Sequence, residues 1–165
     1  MQKIVILSDT HIPGRAKKLP IRLIEECKTA DFILHAGDWQ SLDVYFELAA
    51  YAETDGVTGN VDPWEILDRF GKKKILSFGN LKIGIIHGDG VRLTTEQRAF
   101  EAFAGESVDI IVFGHSHTPV MREHEGVILF NPGSPTDKRR EAQYSFGLLE
   151  IGETWELKHI FFDKE

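Results

Sequence analysis

Histidine, aspartate and asparagine recur in this sequence at one kind of place, directly after short apolar runs. The run at residues 110–113 ends in a glycine, which is followed by two histidines separated by one serine. Burying an imidazole ring without a hydrogen bond or a ligand costs free energy, so such side chains need partners. The candidate donors of this kind are Asp9, His11, Asp38, Asn60, His87, His115 and His117.

The chemistry of these donors points to divalent cations. Carboxylate, imidazole and amide groups without a thiolate suit Mn²⁺, Zn²⁺, Ni²⁺, Fe or Mg²⁺. In extended backbone, residues i and i+2 point the same way, so Asp9 is expected to align with His11 and His115 with His117. Glycine precedes three of the donors and permits sharp turns and close backbone approach. Seven donors exceed the needs of one tetrahedral ion and match two ions that share a carboxylate.

Alternating strands and helices are predicted for the first part of the chain, on the basis of apolar periodicity. Ser41 is a plausible N-cap of the second helix. This βαβαβ order implies parallel strands with right-handed crossovers. The predicted elements are strands at 3–7, 32–35 and 55–58 and helices at 21–28 and 42–52.

The second half predicts hairpins and two further helices. Thr94 and Gln97 form a capping-box pattern, and Asp62 with Pro63 and Glu65 reads as a helix start with Asp62 as N-cap. Tight turns are expected at Gly79-Asn80, Glu125-Gly126 and Gly152-Glu153. The predicted strands lie at 74–78, 81–86, 109–113, 120–122, 127–130, 145–151 and 155–161.

Together these elements predict an α/β fold: a four-layer α-β-β-α sandwich of two mixed β-sheets flanked by helices, in a single domain over residues 1–165. In open α/β sheets, the loops at the carboxyl ends of strands gather into the ligand site. Since the candidate donors follow five such strand ends, we expect them to converge on one spot.

Composition and net charge restrict the classes of partner and the compartment that we expect for this protein. The formal net charge of −7 argues against a broad electrostatic grip on extended nucleic acid. The single cysteine, Cys27, excludes an internal disulfide and fits a reducing compartment. No apolar stretch approaches a membrane span. The sequence therefore predicts a cytoplasmic protein with no membrane association.

Six motifs carry a resemblance to a known family. SDTHIPG, HAGDW, TGNVD, IIHGD, GHSHTP and NPGS occur in that order. In these motifs the chain resembles the calcineurin-like metallophosphoesterases, especially their small prokaryotic phosphodiesterases. The resemblance implies a first metal at Asp9, His11 and His117, a second at Asn60, His87 and His115, and Asp38 as the bridge.

The activity implied by the resemblance is that of a dinuclear, metal-dependent phosphodiesterase whose nucleophile is a metal-bridging hydroxide. Asp38, Asn60 and His87 would serve catalysis through that hydroxide, and Asn60 and Arg140 would bind the substrate. Mn²⁺ is the expected metal, and a small phosphodiester or nucleotide-like compound is the expected substrate. Arg139 and Arg140 read equally well as surface arginines, and self-association is left open.

One position departs from the family pattern. Most of the superfamily has a histidine after the asparagine, which assists the leaving group, whereas this chain has Val61. Because valine cannot donate a proton, we expect a preference for good leaving groups. The alternatives are a non-catalytic metal-binding scaffold of the same fold, or a phosphomonoesterase or nucleotide pyrophosphohydrolase.

The remaining aromatic and histidine side chains are expected to be structural. His35 is predicted to pack beneath the site, and His124 and His159 lie away from any strand end. Core packing is predicted for Trp39 and Trp64, although either could line a pocket for a nucleobase.

Overall fold

A computed structural model describes residues 1–165. Its helices are α1 Ile21–Cys27, α2 Leu42–Ala49, α3 Trp64–Phe70 and α4 Thr95–Ala102. Its strands are β1 Gln2–Leu7, β2 Phe32–His35, β3 Glu53–Gly56, β4 Lys73–Phe78, β5 Leu81–Ile86, β6 Ile110–Val112, β7 Val120–His124, β8 Val127–Asn131, β9 Tyr144–Ile151 and β10 Trp155–Phe162. None of the helices has the length and apolar character needed to cross a membrane.

The strands form two five-stranded mixed sheets. In the first, with order β10-β9-β1-β2-β3, strands β1, β2 and β3 are parallel and the β9–β10 hairpin is antiparallel. In the second, with order β4-β5-β6-β8-β7, strands β5, β6 and β8 are parallel and both edge strands are antiparallel to their neighbours. The predicted hairpin turns are all present.

Three apolar clusters define the layers. One joins the two sheets, with Ile4 and Ile6 of β1 packed among residues of the other sheet such as Ile83 and Val112. The alternate residues of β1 face the opposite way, because successive side chains of a strand point to opposite faces. They pack against α1, α2 and α3, while α4 covers the outer face of the second sheet. The predicted four-layer α-β-β-α sandwich is confirmed.

The bounds of α2 and β3 depart from the prediction for local reasons. Helix α2 ends at Ala49 rather than Ala52, because Tyr51 N–H bonds to the carbonyl of Leu48 and the chain tightens into a turn. Strand β3 begins at Glu53, where its pairing with Phe32 starts. Its first residues, Glu53 and Thr54, are polar, so the predicted strand at 55–58 starts two residues late.

Candidate metal centre

All predicted donors follow strand ends that meet at one edge of the two sheets. Loops after β1, β2 and β3 carry Asp9, His11, Asp38 and Asn60, and loops after β5 and β6 carry His87, His115 and His117. The loops are bonded to one another: Asp9 N–H donates to the carbonyl of Gly37 at 2.9 Å, and Gly114 N–H to that of His87 at 3.0 Å. The convergence predicted from the sequence is therefore present.

The backbone of the donors differs from the prediction. The paired donors were expected in extended backbone, but five donors have positive φ, where a β-carbon is crowded. Non-glycine residues rarely adopt this conformation, which costs about 1–3 kcal/mol each and concentrates at functional sites. The φ values are 59° at Asp9, 47° at His11, 61° at Asp38, 72° at His115 and 62° at His117.

Asp9 is held by one carboxylate oxygen and presents the other. Its Oδ2 accepts hydrogen bonds from the Ser8 hydroxyl at 2.7 Å and from His115 N–H at 3.0 Å. Its Oδ1 is buried with no hydrogen-bond partner. This oxygen lies 3.7 Å from Nε2 of His11 and of His87, and 3.5 Å from Nε2 of His117. Asp9 therefore aims one oxygen at three imidazoles.

Asp38 is arranged in the same way. Its Oδ1 accepts the backbone N–H of Val61 at 3.0 Å. Its Oδ2 lies 3.0 Å from Nε2 of His87 and 3.5 Å from Nε2 of His11. One Asp38 oxygen thus lies between a histidine of each sheet, where a bridging carboxylate would be needed.

Backbone carbonyls orient two of the imidazoles. Nδ1 of His87 donates to the carbonyl of Ala36 at 2.8 Å, and Nδ1 of His117 donates to the carbonyl of Asp137. Because a carbonyl can only accept, Nδ1 carries the proton of each ring in its neutral form, and the lone pair is then on Nε2, where a cation would take the place of a second proton. Both Nε2 atoms, and that of His11, are buried without a partner.

The donors divide into two groups in which the ligand atoms lie within 4.8 Å of one another. Asn60, whose Oδ1 is 3.2 Å from Nδ1 of His115, lies beside the second group. Four buried polar atoms without partners would be costly in a closed protein. A divalent cation would supply the missing partner of these atoms, so the residues fit a metal site. The groups are Asp9, His11 and His117, and Asp38, His87 and His115.

The buried acids and His87 stabilise each other's charged forms. Burial alone would raise the pKa of Asp9, but the charge of His87, the nearby imidazoles of His11 and His117 and the hydrogen bond from Ser8 outweigh it and lower the pKa to about 2. Burial would likewise depress the pKa of His87, yet Asp9 and Asp38 raise it to about 9. The two carboxylates remain ionised and create a strongly negative point, which attracts a cation.

His35 packs beneath this point, as predicted. It is fully buried, its Nε2 lies 3.1 Å from the hydroxyl of Thr10, and its Nδ1 accepts Gly37 N–H at 3.1 Å. Its ring stacks on Trp39 with centroids 3.9 Å apart. Burial lowers the pKa of His35 to about 3, so it is a neutral supporting ring.

Asp62 has a different role from the one predicted. It does not cap α3, whose N-cap is Pro63 without a side-chain bond. Its carboxylate instead accepts backbone N–H groups of Asp38 at 2.9 Å, Gln40 at 2.6 Å and Gly59 at 2.7 Å. These bonds join the loops after β2 and β3, and they form because loop convergence brings three free N–H groups to one carboxylate.

Sequence reasoning gave no role to Ser134, although the NPGS motif contained it. Its hydroxyl donates to the carbonyl of Asp9 at 2.8 Å and accepts Asp137 N–H at 2.8 Å. Ser134 thereby connects the loop of Asp9 to the carbonyl that orients His117. The position of the motif beside the donors was the available signal.

Glycine is required where the loops touch. A β-carbon on Gly59 would lie 2.0 Å from Oδ1 of Asp38, and one on Gly114 would lie 2.0 Å from the Ser8 hydroxyl. These distances are far below van der Waals contact. The two glycines allow the loops to approach closely enough to bring the carboxylates together.

Other predicted side chains lie outside the cluster. Arg139 and Arg140 are exposed and line a groove with Ser116 and Thr118, beside the two histidines of that loop. His124 is exposed at the far end of β7, and His159 bonds to the carbonyl of Asn131.

The predicted core packing of Trp64 is wrong. Its side chain is 71% exposed, whereas Trp39 is fully buried. Helix α3 buries Ile66 and Phe70 instead, so its first residue points away from the core.

Comparison with known proteins settles the family. A model described as the calcineurin-like phosphoesterase superfamily domain matches residues 2–154. The chain belongs to this superfamily. It is 34% identical over 136 residues to a probable metallophosphoesterase of Methanothermobacter thermautotrophicus, covering 82% of this chain and 78% of the relative. It is also 31% identical over 149 residues to a phosphodiesterase of Methanocaldococcus jannaschii, covering 79% and 82%.

Solved structures agree with the fold. The crystal structure of wild-type Vps29 from Entamoeba histolytica complexed with Zn²⁺ has a TM-score of 0.78 and 22% identity, covering 98% of this chain and 100% of that protein. At this identity the likeness concerns the fold alone. Family membership and the two ligand groups together imply a phosphoesterase that binds divalent metal.

Proposed function

We propose that this protein is a phosphodiesterase with a dinuclear metal centre. Asp9, His11 and His117 would hold one cation, Asn60, His87 and His115 the other, and Asp38 would bridge them. The observation that carries the proposal is the set of partnerless buried atoms, in which Oδ1 of Asp9 and three Nε2 atoms face one another. The relative named as a phosphodiesterase supports the reaction type.

Two divalent cations in such a site would supply positive charge for the phosphoryl oxygens and would lower the pKa of bound water to near neutral. The chain's own residues supply position. Ser8 and Val61 fix the carboxylates of Asp9 and Asp38, while the carbonyls of Ala36 and Asp137 fix two imidazoles. The donor atoms are therefore arranged before substrate arrives, which is the main protein contribution in phosphoryl transfer.

The substrate would be held by residues at the mouth. Asn60 is exposed and can donate its amide N–H groups to a phosphoryl oxygen, and the exposed guanidinium of Arg140 suits a phosphate. Val61 is 47% exposed at the same mouth and offers no proton to a departing oxygen. Diesters with good leaving groups are the expected substrates, in preference to extended nucleic acid, and the cytoplasm is the expected location.

A scaffold function is the second candidate. Vps29, whose Zn²⁺ complex shares the fold over 98% of this chain, is named for vacuolar protein sorting. That name describes no phosphodiester hydrolysis, so the fold is compatible with a function other than catalysis. The ligand set of this chain is complete, which favours hydrolysis.

The decisive experiment is to strip the purified protein of metal, reload it with Mn²⁺, Zn²⁺, Ni²⁺ or Mg²⁺, and measure bound metal and hydrolysis of bis(p-nitrophenyl) phosphate. We expect two ions per chain and turnover that requires them. Two bound ions without turnover of this diester would favour the scaffold, and turnover by the stripped protein would contradict the metal centre.

A further inference from the structure

An open groove extends from Asn60, at the edge of the metal centre, to helix α3. Its volume is about 510 Å³, which is enough for a nucleoside. Its lining includes Asn60, Gly88 and Asp89 from the loops of the metal centre, and Trp64, Leu67 and Lys72 from α3 and the segment after it. A molecule in this groove would therefore touch both the metal centre and α3.

Trp64 is the unusual residue of this lining. Trp39 donates its indole N–H to the carbonyl of Val57 at 2.8 Å and stacks on His35 and Phe70. The indole of Trp64 has no hydrogen bond, no aromatic neighbour and no cation over its ring, and the residue is 71% exposed. A large apolar surface that faces a groove with polar ends is typical of a binding site.

The charges of the groove restrict what it can take. Asp62 and Asp89 are carboxylates, and Lys72 is a single cation, so an anionic substituent gains no net attraction. Lys73 and Lys74 pair with Glu106 and Asp55, whereas Lys72 forms no ion pair. A neutral planar ring with hydrogen-bonding edges satisfies this lining best, because its face can stack on indole while its edges meet polar groups.

We propose that this groove binds the nucleoside or aryl substituent of the phosphodiester, with the ring stacked on Trp64 and the phosphoryl group at the metal centre. This inference rests on the proposed phosphodiesterase function. It assigns Trp64 as a specificity residue, and it separates the two sides of the mouth: the aromatic substituent lies beside Asn60, and the arginine loop lies beside Ser116.

The test compares adenosine 5′-monophosphate with ribose 5-phosphate, which lacks the base, on ¹⁵N-labelled protein loaded with diamagnetic Zn²⁺. The three indole N–H signals are assigned with Trp64→Phe and Trp155→Phe. We expect adenosine 5′-monophosphate to shift the Trp64 signal and leave those of Trp39 and Trp155 in place, and ribose 5-phosphate to shift none of them.

Affinity gives the second measurement. Loss of a base–aromatic stack weakens binding by at least ~5-fold, so Trp64→Ala should raise the Kd of adenosine 5′-monophosphate by that factor and leave ribose 5-phosphate unchanged. Trp155→Ala is the matched control, since Trp155 is also partly exposed, at 39%, but lies at the start of β10. It should alter neither Kd.

The outcomes separate the two proposals. Equal binding of both ligands, or an unchanged Kd in Trp64→Ala, overturns the stacking site and leaves the phosphodiesterase standing. A Trp64 shift in a protein that hydrolyses no diester supports the groove and overturns the phosphodiesterase. Absence of binding by either ligand overturns the stacking site, whereas the phosphodiesterase is overturned only by absent turnover of bis(p-nitrophenyl) phosphate.

Discussion

The carboxylate of Asp62 accepts the backbone N–H of Asp38 at 2.9 Å, across 24 residues of sequence. The same carboxylate accepts N–H groups from Gln40 and Gly59. It thus sets the position of the proposed bridging residue through its backbone, while Val61 sets its side chain. With valine in place of the usual histidine, Asp62 orders the loops and has no imidazole to orient.

Asp62→Ala should destabilise the protein, because it leaves three backbone N–H groups without their acceptor. A buried group without its partner costs about 1–3 kcal/mol, so we expect the free energy of unfolding in urea to fall by at least ~2 kcal/mol. Asp68→Ala, at an exposed position of the nearby helix α3, should change it by less than ~0.5 kcal/mol. Equal small effects at both sites would contradict the role assigned to Asp62.

His117→Ala should remove metal and activity together. Losing an outer partner of a ligand already costs up to ~100-fold, so loss of a ligand itself should reduce metal affinity and kcat/KM by at least that much. Metal content is measured by mass spectrometry and turnover with bis(p-nitrophenyl) phosphate. The control is His124→Ala, whose side chain is 54% exposed. A variant that keeps full turnover would refute the ligand assignment.

Val61→His should relieve the dependence on the leaving group. Val61 is 47% exposed, so a larger side chain fits there. A positioned general acid contributes about 10²–10⁴-fold to the rate. We expect Val61→His to raise kcat roughly 10-fold for a phosphodiester with an alkyl leaving group and to change it little for a p-nitrophenyl ester. The measurement is kcat for a series of phosphodiesters whose leaving-group alcohols differ in pKa. Val61→Leu controls for size. A wild-type rate independent of the alcohol's pKa would show that no proton donor is missing.

Cys27 provides a pH-dependent prediction away from the site. Burial raises the pKa of its thiol to about 12 from the ordinary 9.0. The folded protein holds this proton more tightly than the unfolded chain, so the stabilisation is complete below pH 9 and is lost as pH rises towards 12. The free energy of unfolding should decline over that window by up to ~1.4 kcal/mol per pH unit.

Urea titrations of wild type and Cys27→Ala between pH 8 and pH 10.5 measure the difference. The variant should lack this part of the decline. In native protein at pH 8 the thiol should not react with 5,5′-dithiobis(2-nitrobenzoic acid), since the thiolate is the reactive form. Rapid labelling without urea would contradict the burial.

The convergence of the proposed donors was predictable because most of them follow an apolar run, and the end of a buried strand is recognisable from sequence. The hairpins were predictable because their turns contain glycine, which tolerates positive φ. In the turn between β7 and β8, Glu125 and Gly126 both adopt positive φ. Local sequence placed β3 two residues late, at 55–58, because Glu53 looks like a loop residue until β2 is beside it.

The role of Asp62 and the exposure of Trp64 were beyond local reasoning. Asp62 precedes a proline and a helix, so a capping role is its best local explanation, and only the arrival of the β2 loop gives it three other donors. Trp64 looked like a core residue from its size. Its orientation depends on which face of α3 meets the sheet, and that face is set by Ile66 and Phe70.

The proposed ligands come from both sheets, with Asp9, His11, Asp38 and Asn60 on one and His87, His115 and His117 on the other. A partly folded chain in which the two sheets have not yet packed together would present an incomplete set of ligands. Hydrolytic competence would therefore arrive at the final docking step of folding. Cation binding would stabilise the packing of the two sheets against each other, and the chain would have no hydrolytic activity until both sheets are in place.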